Sequence, residues 1–300
     1  MKWNKRLALL SLPFLLVSCK IGENSATDNE TERKTDMVET DSSLTEIEEP
    51  ATEPDTSASI TYETEELAVK NGESRIVGDF YRPKVEGKTP LVLLSHSAFL
   101  TGKSLRVYAK FFASHGYAAY AFDFCGGSNN SRSDGKVADM TIFTEAEDLK
   151  TVFSYFTSLN TIDTEKVYLL GSSQGGLVTS VAAKELGDKV AGLFLFYPAF
   201  NIPEQVKNSF FSGPYGEDFI NTLRDYDPYE GMERFTKPVL IFHGTKDSTV
   251  PISYSEKAVN CYPNAELIRI EGASHGFNTD NYSFTGNYDS QVFSVLKERI

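Results

Sequence analysis

Gly171-Ser172-Ser173-Gln174-Gly175 stands directly behind the apolar run Val167-Tyr168-Leu169-Leu170, which places a Gly-x-Ser-x-Gly pattern where its mechanics require it. A buried strand must stop abruptly, and a helix must begin at the residue that carries the hydroxyl. The turn is sharp, and a Cβ at Gly171 or Gly175 would collide with neighbouring backbone. Leu177 to Leu186 has helical character and Gly187 closes it. A glycine-rich turn without chemistry could carry the same five residues, but it has no need of a strand before them and a helix after.

Around this point the chain alternates. Pro90 to Ser95 is a nearly continuous apolar run, as a strand covered on both faces requires. Helical spacing follows over Leu105 to His115, then a strand over Tyr117 to Phe122. A long helix spans Thr141 to Leu159, with Phe143, Ala146, Leu149, Val152, Phe153 and Phe156 inward. Strand 166–170, the helix after the serine, strands 190–196 and 238–242, helix 253–260, strand 265–270 and a last helix over Tyr288 to Glu298 complete the series. Arg75 to Tyr81 reads as part of an antiparallel opening hairpin. Such alternation predicts an open, mostly parallel sheet covered by helices on both sides, with its site past the carboxyl ends of the strands.

The remaining reactive residues fall at such ends. Asp247 follows Val239-Leu240-Ile241-Phe242-His243-Gly244, and His275 follows the strand ending at Ile270. The chain order Ser173, Asp247, His275 is that of one particular serine hydrolase arrangement, the α/β-hydrolase triad. Alone, Asp247 would pass for a turn former and His275 for a surface residue. Together they predict that Ser173 is the nucleophile, His275 its base and Asp247 the orienting acid. The oxyanion hole needs the amide after the nucleophile, Gln174, whose side chain is incidental to that role, and a second from Ser95 to Phe99. Activity should rise through the histidine range, roughly pH 6 to 7. His96 and His243 read as structural hydrogen bonders. No cluster of His, Cys and acids has ligand spacing, so neither metal nor cofactor is expected.

The first sixty residues have another character. Lys2, Lys5 and Arg6 precede the short apolar segment Leu7 to Val17, which reads as a signal peptide. Residues 19–61 read as an acidic, disordered tether, since 21–60 hold twelve Asp or Glu against Arg33 and Lys34. Most of the formal net charge of −13 is therefore the tether's and says little about substrate. No basic clustering points to nucleic acid. Residues 62–300 are ample for one core, and Cys125 and Cys261 make no disulfide framework.

Leu16-Val17-Ser18-Cys19 resembles the lipobox of bacterial lipoproteins, which implies cleavage after residue 18, a lipid on Cys19 and an envelope location anchored in a membrane. The segments Ser95-His96, Tyr120 to Ser128, Gly171 to Gly176, His243 to Asp247 and His275-Gly276-Phe277 resemble bacterial α/β-hydrolases of the feruloyl/cinnamoyl esterase type, over essentially residues 70 to 300. The resemblance implies the α/β-hydrolase fold, with a mostly parallel central sheet, helices on both faces and a small lid insertion. The family carries His-Gly-aromatic in the first oxyanion loop, whereas here Ser97 and Ala98 separate His96 from Phe99. By position Ala98 supplies the second amide, and by residue type Phe99 does. A lid fits about 200–236, where Phe210, Phe211, Tyr215, Phe219 and Tyr226 either line an apolar acyl pocket or pack the insertion onto the body.

The expected activity is hydrolysis of carboxylic esters, in the resemblance's terms hydroxycinnamoyl esters of plant polysaccharide. The partners implied are a small or oligosaccharide-linked ester and a membrane lipid anchor, with no nucleic acid and no obligate protein partner. A serine peptidase of short peptides would use the same triad, although the first sixty residues are not expected to form the propeller or comparable large gating domain usual for one. A non-catalytic binding lipoprotein would need none of the three residues.

Overall fold

The computed structural model describes residues 59–208, 214–280 and 286–300. Cys19, the acidic segment up to residue 58, Phe210 and Phe211 lie outside the described residues. Eight strands form one sheet in the order β1-β2-β4-β3-β5-β6-β7-β8. They are β1 (Tyr62–Asn71), β2 (Ser74–Pro83), β3 (Thr89–Ser95), β4 (Ala118–Phe122), β5 (Ile162–Ser172), β6 (Gly192–Phe196), β7 (Val239–Gly244) and β8 (Ala265–Ile270). β1 and β2 form the antiparallel opening hairpin, β2 meets β4 antiparallel, and β3 to β8 pair in parallel.

The apolar run of β3 explains why the sheet has two covered faces. Leu91 and Leu93 enter one core and Val92 and Leu94 the other, all four wholly buried. The first core receives α2 (Ile142–Thr157) and α3 (Gln174–Leu186) through Leu149, Val152, Phe156, Leu177 and Val178. The second receives α1 (Arg106–Ser114) and α7 (Asp289–Lys297) through Tyr108, Phe112, Val292 and Leu296. Each such buried side chain stabilises by roughly 1.5–3 kcal/mol before entropy is counted. α2 starts where its sequence says: Thr141 caps it, accepting from Thr144 N at 3.0 Å while Thr144 Oγ1 accepts from Thr141 N at 2.8 Å.

Most bounds fall within two residues of the sequence expectation, and two starts move further. β5 begins four residues early, because Ile162 pairs with Thr89 across a register shift before the main ladder. α3 begins at Gln174, since Gly176 N and Leu177 N both bond the Ser173 carbonyl, so the two glycines are already helical.

The segment from Ser128 to Lys136 is pinned along β2. Arg132 donates through Nε and Nη2 to the fully buried Asp123 at 3.0 and 3.1 Å, and through Nη1 to Asp79 at 2.7 Å. Burial alone would raise the Asp123 carboxyl; the Arg132 bonds and the Gly102 amide overcome it and hold it below the ordinary value. Ser133 Oγ completes the fastening, accepting from Val77 N at 2.8 Å.

The insertion contributes α4 (Ile202–Lys207), α5 (Glu217–Leu223) and a 3-10 turn at Met232–Arg234, followed after β7 by α6 (Ser253–Cys261). Phe219, Leu223, Met232 and Phe235 are buried in the same core as α3. No described helix is long and apolar enough to cross a membrane.

Candidate active site

β5 ends at Ser172 and α3 begins at Gln174, leaving Ser173 alone in the turn with φ 51° and ψ −117°. A non-glycine residue there is strained by about 1–3 kcal/mol. The strain is held by main-chain bonds. Ser173 N donates to Phe196 O on β6 at 2.9 Å, and Ser173 O accepts from Gly176, Leu177 and Ala199. Side chains at Gly171 or Gly175 would run into the Gly175 carbonyl or the Ser95 and His96 carbonyls.

His275 opens a 3-10 turn beyond β8, fixed by Asn278 Nδ2 donating to its carbonyl at 2.8 Å. Its Nε2 lies 3.1 Å from Ser173 Oγ and its Nδ1 2.7 Å from Asp247 Oδ2. Because the carboxylate can only accept, Nδ1 carries the hydrogen and Nε2 is left to accept from the serine. Asp247 is itself fixed, its Oδ1 receiving Thr249 N and Val250 N at 2.9 and 2.8 Å. Burial would raise this carboxyl, but hydrogen bonds from His243 and His275 prevail and lower it to about 2. The group is an anion at any working pH. The structure thus brings Ser173, Asp247 and His275 into one relay.

His96 ties the loop after β3 to the end of β4. Phe124 N donates to its Nε2 at 3.1 Å, so its Nδ1 hydrogen goes to Ser97 O at 2.8 Å. Ser97 Oγ reaches Ser172 Oγ at 2.9 Å, which sets that loop beside the elbow. Among the described residues neither Ala98 nor Phe99 spends its amide hydrogen on a protein acceptor. Gln174 N, at the first position of α3, has no intrahelical acceptor. Three donors are available around the serine.

Three features were not foreseen. The Gln174 side chain is buried and bonded at both ends, donating to Glu145 Oε2 at 2.8 Å and accepting from Tyr215 OH at 3.1 Å. Tyr197, with φ 37°, lays its ring edge-on to His275 at 4.7 Å. His243 stands behind Asp247, its Nε2 3.3 Å from Oδ2. Of these, Glu145 had a legible signal, an acid three residues after Ile142 and four before Leu149 on the apolar stripe of α2.

The aromatic residues assigned to a pocket separate. Tyr215 meets Phe99 of the oxyanion loop, ring centroids 4.7 Å apart. Phe219 is wholly buried behind Tyr215 and faces no open space. Tyr226 follows the packing alternative: its ring packs edge-on against Phe143, and its hydroxyl accepts from Lys184, three turns along α3 and roughly 16 Å from the nucleophile.

A Ser–His–Asp relay at the carboxyl ends of a parallel sheet, its serine on a strand-to-helix elbow, defines an α/β-hydrolase. The prolyl oligopeptidase family matches residues 103–293, more than half of the chain, and the chain belongs to that family. Among solved structures it is similar to Est1E from Butyrivibrio proteoclasticus with ferulic acid bound (TM-score 0.68, 23% identity, 78% of this chain and 97% of that one). It is also similar to mouse alpha/beta hydrolase domain-containing protein 10 (TM-score 0.63, 18% identity, 78% and 98% covered). The quorum-quenching protein AidA of Acinetobacter baumannii (strain MDR-ZJ06) is 32% identical over 97 residues. That match spans 32% of this chain and only 31% of the curated relative.

Proposed function

We propose that this chain hydrolyses carboxylic esters through an acyl-enzyme on Ser173. The observation that carries the reading is the relay itself, with Oγ 3.1 Å from a histidine whose other nitrogen is 2.7 Å from a carboxylate. In acylation Ser173 Oγ attacks the ester carbonyl while His275 Nε2 takes its proton. The oxyanion is received by Gln174 N and by the Ala98 or Phe99 amide. Collapse breaks the C–O bond, and His275 returns its proton to the leaving alkoxide. His275 then deprotonates water, which attacks the acyl-serine, and the acid leaves as Ser173 recovers its hydrogen. Asp247 stays ionised throughout and stabilises the imidazolium.

The resemblance to feruloyl esterases and the likeness to a structure that holds ferulic acid support a hydroxycinnamoyl ester as the finer substrate. The test is a panel of acetyl, butyryl, octanoyl and feruloyl esters with a peptide amide, run beside S173A. Turnover of esters, highest for feruloyl, is expected. Cleavage of the amide alone would establish the second reading, a peptidase, which membership of the prolyl oligopeptidase family favours. Turnover retained by S173A would refute both.

A further inference from the structure

Gln174 contributes more to the site than an amide hydrogen. Its carboxamide joins Glu145 on α2 to Tyr215 in the insertion, one end donating and the other accepting. Tyr215 is therefore bonded to the residue beside the nucleophile and packed against Phe99 of the facing loop. Both neighbours flank the oxyanion position. The ring is also backed by Phe219, centroids 4.1 Å apart. At the next residue, Gly216 lies so close to the Ala138 carbonyl that a side chain has no room. With Phe99 against it on one side and Phe219 on another, the half-buried Tyr215 ring is held as a fixed surface. What it can do is bound the space beside the acyl carbon.

Glu145 is the far anchor. It is 1% exposed, and its Oε1 has no hydrogen-bond partner among the described residues. Burial, with the nearby Asp148 adding to it against the Gln174 bond, pushes its carboxyl up to about 8. A neutral carboxyl tolerates an unpaired buried oxygen far better than a carboxylate does.

We propose that Tyr215 is a size-limiting wall of the acyl site and that Glu145 is its positioning residue, acting through the Gln174 side chain. The proposal rests on Ser173 being the nucleophile, and it concerns which acyl groups Ser173 accepts, not whether it reacts.

The experiment uses the full chain and measures second-order rates of Ser173 phosphonylation by an ethyl and by a bulky aryl fluorophosphonate, with S173A as blank. In Y215A the bulky-to-ethyl rate ratio should rise about ten-fold or more, the scale on which pocket volume discriminates. Y215F, which loses only the bond to Gln174, should move it the same way but less. E145A should raise the ratio too, and E145A/Y215A no further than Y215A alone, because both act on one wall. E145Q, neutral and similar in shape, should restore the wild-type ratio. Unchanged ratios in folded Y215A and Y215F overturn the wall, and effects of E145A and Y215A that multiply overturn the coupling. If E145A does not fold, an E145Q ratio shifted as far as Y215A overturns the positioning role. No labelling of wild type removes the nucleophile and this proposal together, whereas labelling without ester turnover removes only the esterase reading.

Discussion

His243 and His275 address the same oxygen: Nε2 of the first lies 3.3 Å, and Nδ1 of the second 2.7 Å, from Asp247 Oδ2. His243 Nε2 also lies 2.8 Å from Val250 O, which can only accept, so Nε2 carries a hydrogen, and Nδ1 lies 2.7 Å from Ser255 Oγ. A wholly buried histidine thus braces the acid from behind. In H243A, Ser255 and the Val250 carbonyl lose their partner and Asp247 a brace. Stability should fall by about 1–3 kcal/mol, and kcat by about ten-fold or more with KM little changed. Equal kcat in a folded H243A would show that Asp247 needs no brace.

The backbone of Ser173 gives a stability test independent of turnover. S173G and S173A both lack the hydroxyl, but only glycine is at ease at φ 51°. Denaturant titration should find S173G more stable than S173A by about 1 kcal/mol, strain relief exceeding glycine's entropic cost. Equal stability would mean that the turn stores no strain at this residue.

Two carboxyls give opposite pH dependences. Glu145 is faced by Gln174 from α3, by Asp148 of its own helix and, across Gly127, by the buried His96 ring. Folding raises it from the ordinary 4.5 to about 8, so its contribution is fully present below about 4.5 and is lost as pH rises towards 8. The loss is at most about 1.4 kcal/mol per pH unit in that window. Asp247 is lowered from 3.8 to about 2, so its contribution is present above about 4 and is lost as pH falls through 2. Urea titrations should show E145Q flatter than wild type between pH 5 and 8 and unaltered below pH 4.

Arg132 holds a carboxylate that has no exposed surface. R132A leaves Asp123 buried and without its cation, and should cost about 3–5 kcal/mol. Thermal unfolding of R132A indistinguishable from wild type would show that the main-chain amides of Gly102 and of residue 132 suffice for Asp123.

Cys19 stands outside the described residues, and its lipidation is a proposal from the sequence. Expression with residues 1–18 in a bacterium should yield a mature chain starting at Cys19 with added lipid mass, absent in C19S. A soluble mature chain of unmodified mass would refute it.

How much was legible follows from what each feature depends on. β3 and β7 could be read because a strand covered on both faces must be apolar throughout, as Leu91 to Leu94 are. Ser173 and Asp247 could be read because each follows such a run, and His275 because it follows the mixed edge strand β8 in the order the triad requires. Gln174 was read only for its main chain, since nothing in the sequence says that α2 brings Glu145 to its side chain. Tyr226 stayed open between pocket and packing for the same reason: ring content announces that an insertion packs, while the choice between the nucleophile and Lys184 as neighbour is tertiary. Tyr197 carries no local signal, because its contact with His275 joins the end of β6 to the turn after β8.

Every fastening of Ser173 described above is main chain to main chain, to Phe196, Gly176, Leu177 and Ala199. Replacing the side chains of those residues does not by itself break any of them. The turn that carries the nucleophile is in that sense insulated from drift in its surroundings, while His243 and Asn278 hold Asp247 and His275 through side chains and the insertion reaches the site through that of Tyr215. Inheritance can therefore rewrite what this fold accepts one substitution at a time without re-inventing how it reacts.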